Sequence, residues 1–273
     1  MIERVLNIVT IIQARTGSTR MPGKVMLEAA GKPLLLHMIE RVQQAKFAGK
    51  IVVATTCEPE DDIIAELCAH NNVECFRGST NDLLDRHYKA ALSFSADVVL
   101  KIPSDCPLID PAVIDRVIEY FIRHRNQFDY VSNLHPATYP DGFDVEIFSF
   151  NALYKACRNA YKEYEREHTT PFIWNNPGMF KLGNIAWETG KDLSRSHRFV
   201  LDYSEDFYVI KEIFERLYYS NKFFTLEDII DLISVYPLIG DINKHLNGKT
   251  WYNEYLHEFN KVSKYSGQLH LSQ

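Results

Sequence analysis

Arg15, Arg20 and Lys24 follow one another closely in "IVTIIQARTGSTRMPGK" (residues 8–24), interleaved with Gly17, Ser18, Thr19 and Gly23. Cations spaced by small residues suit an anion with many oxygens. Guanidinium groups take phosphate in a two-pronged way, an ammonium acts as a point charge, and glycines let backbone N–H groups come close. The loop follows an apolar run and precedes "PLLLHMIERVQQA", where Leu34, Leu35, Met38, Ile39 and Val42 recur with helical spacing. Strand, glycine-containing loop and helix in that order add the positive potential of a helix N-terminus. The expected chemistry is binding of a triphosphate or a sugar phosphate; a solvated loop with incidental charges is the competing reading. The spacing excludes a P-loop, since Gly17 and Gly23 are one residue too far apart and Val25 follows the lysine, and no G-x-G-x-x-G fingerprint occurs.

Two carboxylates could complete such a site. Asp105 ends the apolar segment "ADVVLKIPSD", and Asp202 follows the apolar "RFVL". Mg²⁺ takes one or two protein carboxylates and leaves its other positions to phosphate and water, so this pair are candidate ligands, with a turn or cap before Pro107 as the alternative for Asp105. Glu205 and Asp206 read as first-turn acids favoured by the helix dipole, and Asp110 before Pro111 reads as an N-cap. "HPATYPDGFDVE" holds His135, Tyr139, Asp141, Asp144 and Glu146. Asp144 and Glu146 alternate with apolar residues, as on a half-exposed strand face. Glu167 and His168 in "REHTTP" form a further pair, explained equally by a helix-end cap. Arg166, Arg195 and Arg198 are the cations that could meet a sugar carboxylate.

These residues need a scaffold that brings them to one edge. "RVLNIVTII", "KIVVATT", "VECFRG" and "ADVVLKIPSD" read as strands, alternating with helices at "PLLLHMIERVQQA", "PEDDIIAELCAHN" and "NDLLDRHYKAALSFS". Repeated βα units with near-continuous apolar strands imply a parallel sheet covered by helices on both faces. Right-handed crossovers then set all strand C-termini on one edge, where ligands bind in this architecture. Beyond about residue 125, "FDYVSNLHPATYPDGFDVEIFSF" reads as two strands around a loop, followed by helices at "SFNALYKACRNA" and "EYEREHTTPFIWNN", then strand from Phe180 to Ala186. "HRFVLDYSEDFYVIKEIFERLY" reads as strand and helix. The expected organisation is an α/β domain over residues 1–224, with an inserted arm at about 128–190, and a helical extension over 225–273 whose polar end is expected to be disordered.

The chain has 273 residues, 46% hydrophobic and 24% charged, enough for a full core. A net charge of −6 gives no global field for nucleic acid or anionic lipid, so an anion site must be built locally. Five cysteines without a C-x-x-C pair read as free thiols in a reducing cytoplasm. No stretch is long and apolar enough to span a bilayer, and no signal-peptide pattern opens the chain, so the expected location is cytoplasmic.

In order along the chain, "IIQARTGSTRMPGK", "GKPLLLHMIERV", "DLLDRHYKAA", "IPSDCPLIDP", "YPDGFDVEIFSF", "REHTTPFIWNNP" and "RFVLDYSEDF" resemble one known family. It is the cytidylyltransferase-like family of spore-coat polysaccharide biosynthesis protein F, related to 3-deoxy-manno-octulosonate and acylneuraminate cytidylyltransferases. The resemblance runs from about Ile8 to Phe207. It implies the nucleotide-diphospho-sugar transferase fold, a Rossmann-like, mostly parallel mixed sheet with helices on both faces and an extended arm that often makes a dimer contact, hence a homodimer. By motif, Ala14, Arg15, Ser18, Thr19, Arg20 and Lys24 would grip CTP. Asp105 and Asp202 would ligate Mg²⁺, Arg77 in "FRGS" would lie near the cytosine, and the stretch holding Asp144 and Glu146 would reach the sugar, as would His168. Gln13 stands where relatives carry the proline of P-A-R, and Tyr203-Ser204 where they carry Thr-Pro.

The implied reaction is transfer of CMP from CTP to a sugar, possibly an acidic 2-keto sugar, with release of pyrophosphate for surface polysaccharide synthesis. Arg15, Lys24, Asp105 and Asp202 would be its catalytic residues. A glycosyltransferase using a finished nucleotide-sugar, and a non-catalytic nucleotide-sugar binding subunit, are the alternatives. Retention of both cations and both carboxylates argues against the second of these.

Overall fold

A computed structural model describes residues 6–250 of the chain. The opening apolar run is strand β1 (Ile8–Gln13), followed by the cationic loop and a two-residue hairpin, β2 (Glu28–Ala29) and β3 (Lys32–Pro33). Then come α1 (Leu34–Val42), β4 (Lys50–Thr56), α2 (Asp62–His70), β5 (Glu74–Gly78), α3 (Leu83–Ser93), β6 (Val98–Pro103) and α4 (Pro111–Arg123). The second half supplies β7 (Tyr130–Ser132), β8 (Glu146–Ser149), α5 (Phe150–Asn159), α6 (Glu163–His168), α7 (Pro171–Trp174) and β9 (Leu182–Asn184). It continues with α8 (Ser204–Leu217), α9 (Leu226–Val235) and α10 (Pro237–Asp241).

Seven strands form one sheet in the order β5-β4-β1-β6-β8-β7-β9. β5, β4, β1 and β6 run parallel, β8 runs antiparallel to β6 and β7, and β9 is parallel to β7. Residues 128–190, read from the sequence as an arm, contribute β7, β8 and β9 to this same sheet. Apolar residues of β1 alternate between two cores: Ile8 and Ile12 pack with α1, α2, α4, α8 and α9, while Val9 and Ile11 pack with α3, α5 and α7. Burial on both faces is why the strand reads as a continuous hydrophobic run.

The chain steps outward from β1 to β4 to β5, then crosses back through α3 to place β6 on the other side of β1. Such a reversal opens a crevice at the strand C-termini. Gln13 lies opposite Pro103 there, Lys101 of β6 lies opposite Glu146 at the start of β8, and Ser132 ends β7 opposite Glu146. Segments far apart in sequence thus deliver side chains to one edge.

Three local expectations change. The helix read across "EYEREHTTPFIWNN" breaks into α6 and α7, because Thr169 is left-handed (φ 71°) and Pro171 cannot donate to the preceding turn. The chain at Arg198–Leu201 is no strand. It is tied to its neighbours by Phe199 N–H to Asp141 O (2.7 Å), Leu201 N–H to Asp105 O (2.8 Å) and an isolated bridge from Arg198 to Asp141. β9 occupies only Leu182–Asn184 of the longer run expected. Asp110 caps α4 as expected, accepting from Ala112 N–H at 2.8 Å, and all five cysteines are free. Helices α9 and α10 form the start of the expected C-terminal extension, and the part from Trp251 onward lies outside the described residues. No helix among the described residues is long and apolar enough to cross a membrane.

Candidate active site

The loop after β1 is folded back on itself. Thr16 O accepts from Ser18 N–H (2.9 Å) and Gly23 N–H (2.7 Å), and Gly23 adopts a left-handed φ of 71° at the turn into Lys24. Its base is anchored by Asp61, only 2% exposed, which accepts from Thr16 N–H and Thr16 Oγ1 at 2.7 Å each and from the Thr56 hydroxyl at the end of β4. Burial opposes the Asp61 charge, yet these donors hold its pKa below the ordinary value. The loop borders a cavity of about 680 Å³ at the sheet edge. Of the residues singled out in the sequence, Ala14, Arg15, Ser18, Thr19, Arg20, Lys24, Asp105, Asp144, Glu146, His168 and Asp202 all line it.

Lys24 is 8% exposed and reaches inward between the two candidate metal ligands. Its Nζ lies 2.9 Å from Asp202 Oδ1 and 3.5 Å from Asp105 Oδ2, and it donates to Leu201 O at 2.5 Å. Burial works to lower the Lys24 pKa, but Asp105 and Asp202 together raise it above the ordinary lysine value. Arg20 Nη2 also meets Asp202 Oδ1 (2.8 Å). Asp202 is held down to about 2: burial would raise it, and the Lys24 and Arg20 charges prevail.

Asp202 is aimed by a buried network that the sequence reading underrated. Asp206, taken as a first-turn acid, is fully buried and accepts from the backbone N–H groups of Asp202 and Tyr203 at 3.0 Å each. It also receives Arg198 Nε (2.9 Å) and Asn243 Nδ2 (2.8 Å), while Arg198 Nη1 donates to Asp141 (2.9 Å). Arg198 is therefore committed to carboxylates of this chain. Arg166 is committed as well, to Asp82 (Nε at 3.0 Å) and the Cys157 carbonyl.

The donor set fits a divalent cation. Asp105 and Asp202 present oxygens to one ammonium that stands where positive charge is wanted. Nearby, Asp141 is pushed up to about 7 by burial, against Arg198 and with the repulsion of Asp105 and Asp202, and Asp144 is raised well above its ordinary value by burial and by Asp141 and Asp105. Both shifts favour the neutral carboxyl, and burial is the larger cause in each. Among the described residues no group of three or more His, Cys, Asp or Glu side chains is placed to hold a metal ion.

The deeper wall is of another kind. Lys101 (7% exposed) and Glu146 (3%) form an ion pair across β6 and β8, and the Tyr130 hydroxyl donates to Glu146 at 2.6 Å. Burial opposes the Glu146 charge, and Lys101, Thr170 and Tyr130 outweigh it and hold the carboxyl below its usual range. Glu146 is thus buried rather than half-exposed. His168 is pushed down to about 3 by burial and the cations Lys101 and Arg20, which keeps its imidazole neutral.

Arg77 does not line the cavity. Its guanidinium is taken by Thr56 O (2.8 Å), Glu58 O (2.8 Å) and Asp62 (2.5 Å), clamping the ends of β4 and β5 to the start of α2. Arg86 on α3 does line the cavity, 3% exposed, with Nη1 on Ser79 O (3.0 Å) and Nε buried without a partner. Burial and the neighbouring Arg15 hold its pKa down to about 10. Sequence reasoning missed Arg86, Lys101 and Asp61. A basic residue one turn into a helix that follows a strand end was the available signal for Arg86, and none existed for the others.

A family profile described as cytidylyltransferase matches residues 9–230. The chain is 38% identical over 247 residues to an uncharacterised protein of Methanocaldococcus jannaschii, covering 90% of this chain and 98% of that one. It is 30% identical over 215 residues to the spore coat polysaccharide biosynthesis protein SpsF of Bacillus subtilis, covering 77% and 87%. A solved cytidylyltransferase from Leptospira borgpetersenii superposes with a TM-score of 0.82 at 33% identity, covering 90% of this chain and 99% of that one. A cationic loop, an aspartate pair and a mostly parallel sheet therefore stand in a context that relatives share along most of their length, and the chain belongs to the cytidylyltransferase family of nucleotidyltransferases.

Proposed function

We propose that this protein transfers CMP from CTP to a hydroxyl of a sugar, releasing pyrophosphate, in a Mg²⁺-dependent reaction that supplies an activated sugar for surface polysaccharide. The observation that carries this reading is the meeting of Arg15, Arg20 and Lys24 with Asp105 and Asp202 on one wall of one cavity. The sugar oxygen bonds to the α-phosphorus, its proton is lost to solvent, and the bond between the α-phosphorus and the bridging oxygen breaks with its electrons going to pyrophosphate. Little covalent work falls to the protein, so positioning and charge stabilisation dominate.

Mg²⁺ held by Asp105 and Asp202 would act as a Lewis acid and template for the phosphate oxygens. Arg15 and Arg20 offer flat, multi-donor contacts to the triphosphate, and Lys24, already desolvated and fixed by Leu201 O, offers a charge that needs little reorganisation. Arg86 stands beside Arg15 near Thr80, Asn81 and Leu83 on the cavity wall, and a guanidinium there suits the O2 and N3 acceptors of cytosine. Asp144, Glu146 and His168 border the sugar end, where neutral His168 can donate or accept a single hydrogen bond from a hydroxyl.

Pyrophosphate release measured with Mg²⁺, each of the four nucleoside triphosphates and a panel of sugars, acidic 2-keto sugars included, tests the reading. Release with CTP and one sugar is expected. Transfer of sugar from a finished nucleotide-sugar, without pyrophosphate, would contradict it.

A further inference from the structure

We propose that the C-terminal segment Asn243–Thr250 completes the phosphate end of the cavity, with the Lys249 ammonium as an additional cation for the terminal phosphates of the bound triphosphate. The assignment rests on the cytidylyltransferase reading above. The segment is fastened to the network that aims Asp202. Asn243, 2% exposed, donates from Nδ2 to Asp206 Oδ1 (2.8 Å) and to Arg198 O (2.9 Å). Asn247 Nδ2 donates to Ser196 O (2.9 Å), and the Lys249 carbonyl accepts from Arg198 Nη1 (2.8 Å). Four hydrogen bonds thus hold a segment that lies more than two hundred residues from the loop it faces.

Fastened in this way, Lys249 and Thr250 border the same cavity as Ser18, Thr19 and Arg20. Lys249 Nζ lies 5.8 Å from the centre of the Tyr203 ring, and the Arg20 guanidinium lies 5.7 Å from it. Arg198 stands 5.9 Å from the same ring. Arg20 and Arg198 each share Asp202, whereas Lys249 makes no ion pair among the described residues. An aromatic face attracts cations but supplies no counter-charge, and although the nearby Glu205 carboxylate feels the Lys249 charge the two form no ion pair, so the ammonium keeps donors to offer a polyanion. Terminal phosphates carry most of the charge of a nucleoside triphosphate and leave as pyrophosphate, so a cation here would hold both the bound substrate and the leaving group.

Calorimetric titration of CTP and of CMP into the full chain, its Lys249→Ala variant and its Lys249→Arg variant tests this. Lys249→Ala is expected to weaken CTP binding about tenfold, the scale of one charge-assisted contact. CMP binding should hold, Lys249→Arg should restore CTP affinity, and the difference should shrink as salt rises. Unchanged CTP affinity in Lys249→Ala overturns the assignment. So does equal weakening of CTP and CMP, which would mark the segment as packing only. If the unaltered protein binds no CTP, the cytidylyltransferase reading falls and this inference with it, an outcome distinct from the other two.

Discussion

The two ends of the cavity are built on opposite principles. At the end where we place the phosphates, the loop after β1 carries the charges, and Arg15 and Arg20, unlike buried Lys24, keep enough exposure to exchange water for a ligand. At the other end, where we place the sugar, Lys101 and Glu146 are buried and already satisfied by one another, while burial keeps His168 neutral. The first end can gain or lose a polyanion without losing the fold. The second is part of the fold, so it can select a substrate only by shape and by hydrogen bonds that its fixed groups leave open.

The largest effect expected from this contrast is on turnover. Asp105→Asn and Asp202→Asn should each slow pyrophosphate release by about a hundredfold or more, because each removes a ligand from a charge-stabilising ion. Thermal midpoints measured alongside should stay near that of the parent for Asp105→Asn and fall for Asp202→Asn, which takes from buried Lys24 its nearer carboxylate; variants turning over as fast as the parent would remove the metal assignment.

Next comes stability at the other end. Glu146→Gln leaves the Lys101 charge buried without its partner and should cost ~3 kcal/mol in urea unfolding, whereas Lys101→Met with Glu146→Leu should recover most of that loss. If the single change cost no more than the double one, the pair would be solvated and the contrast between the two ends would vanish.

A third expectation concerns acid. Burial lowers His87 and His168 to about 3, and His37 and His135 to about 4. An unfolded histidine titrates near its ordinary value of about 6.5, so between there and about 3 the unfolded chain binds more protons than the folded one. Stability is therefore full above that value and declines as pH falls through this window. Asp141 and Asp144, raised in the folded chain, work the other way over the same window, so urea midpoints should drop most steeply below about pH 6.5, where the unfolded histidines charge; a flat profile there would mean that these imidazoles are hydrated in the folded protein.

The smallest effect belongs to Arg77. Arg77→Ala should leave CTP affinity unchanged and move the thermal midpoint only slightly, as expected of an exposed ion pair. A clear loss of CTP binding would return Arg77 to the nucleotide site.

These contrasts also explain what was legible in the sequence. The cationic loop was readable because its residues are contiguous, and local spacing carries loop chemistry. Asp105 was readable because it follows β6, and the parallel arrangement of β1, β4, β5 and β6 sends such ends to one edge; Asp202 was readable from the apolar run before it, which is no strand but is tied to Asp105 by Leu201 N–H. Arg77 also stands at a strand end, but which way a side chain there is drawn depends on its neighbours, here Asp62 and two carbonyls. Lys101 lies within an apolar strand and gave no signal of its own, since its partner Glu146 lies 45 positions away. The Arg198–Asp206–Asn243 network joins segments that no periodicity connects. The break at Thr169 was hidden because a left-handed threonine has no composition signal.

The most direct test of the division between the two ends is calorimetric titration of CTP, with Mg²⁺, into the parent protein, Lys24→Gln and His168→Ala. The account predicts that Lys24→Gln weakens CTP binding by more than about tenfold while His168→Ala leaves it unchanged and alters only the sugar KM. Weakening by His168→Ala, with Lys24→Gln binding as the parent does, would contradict it.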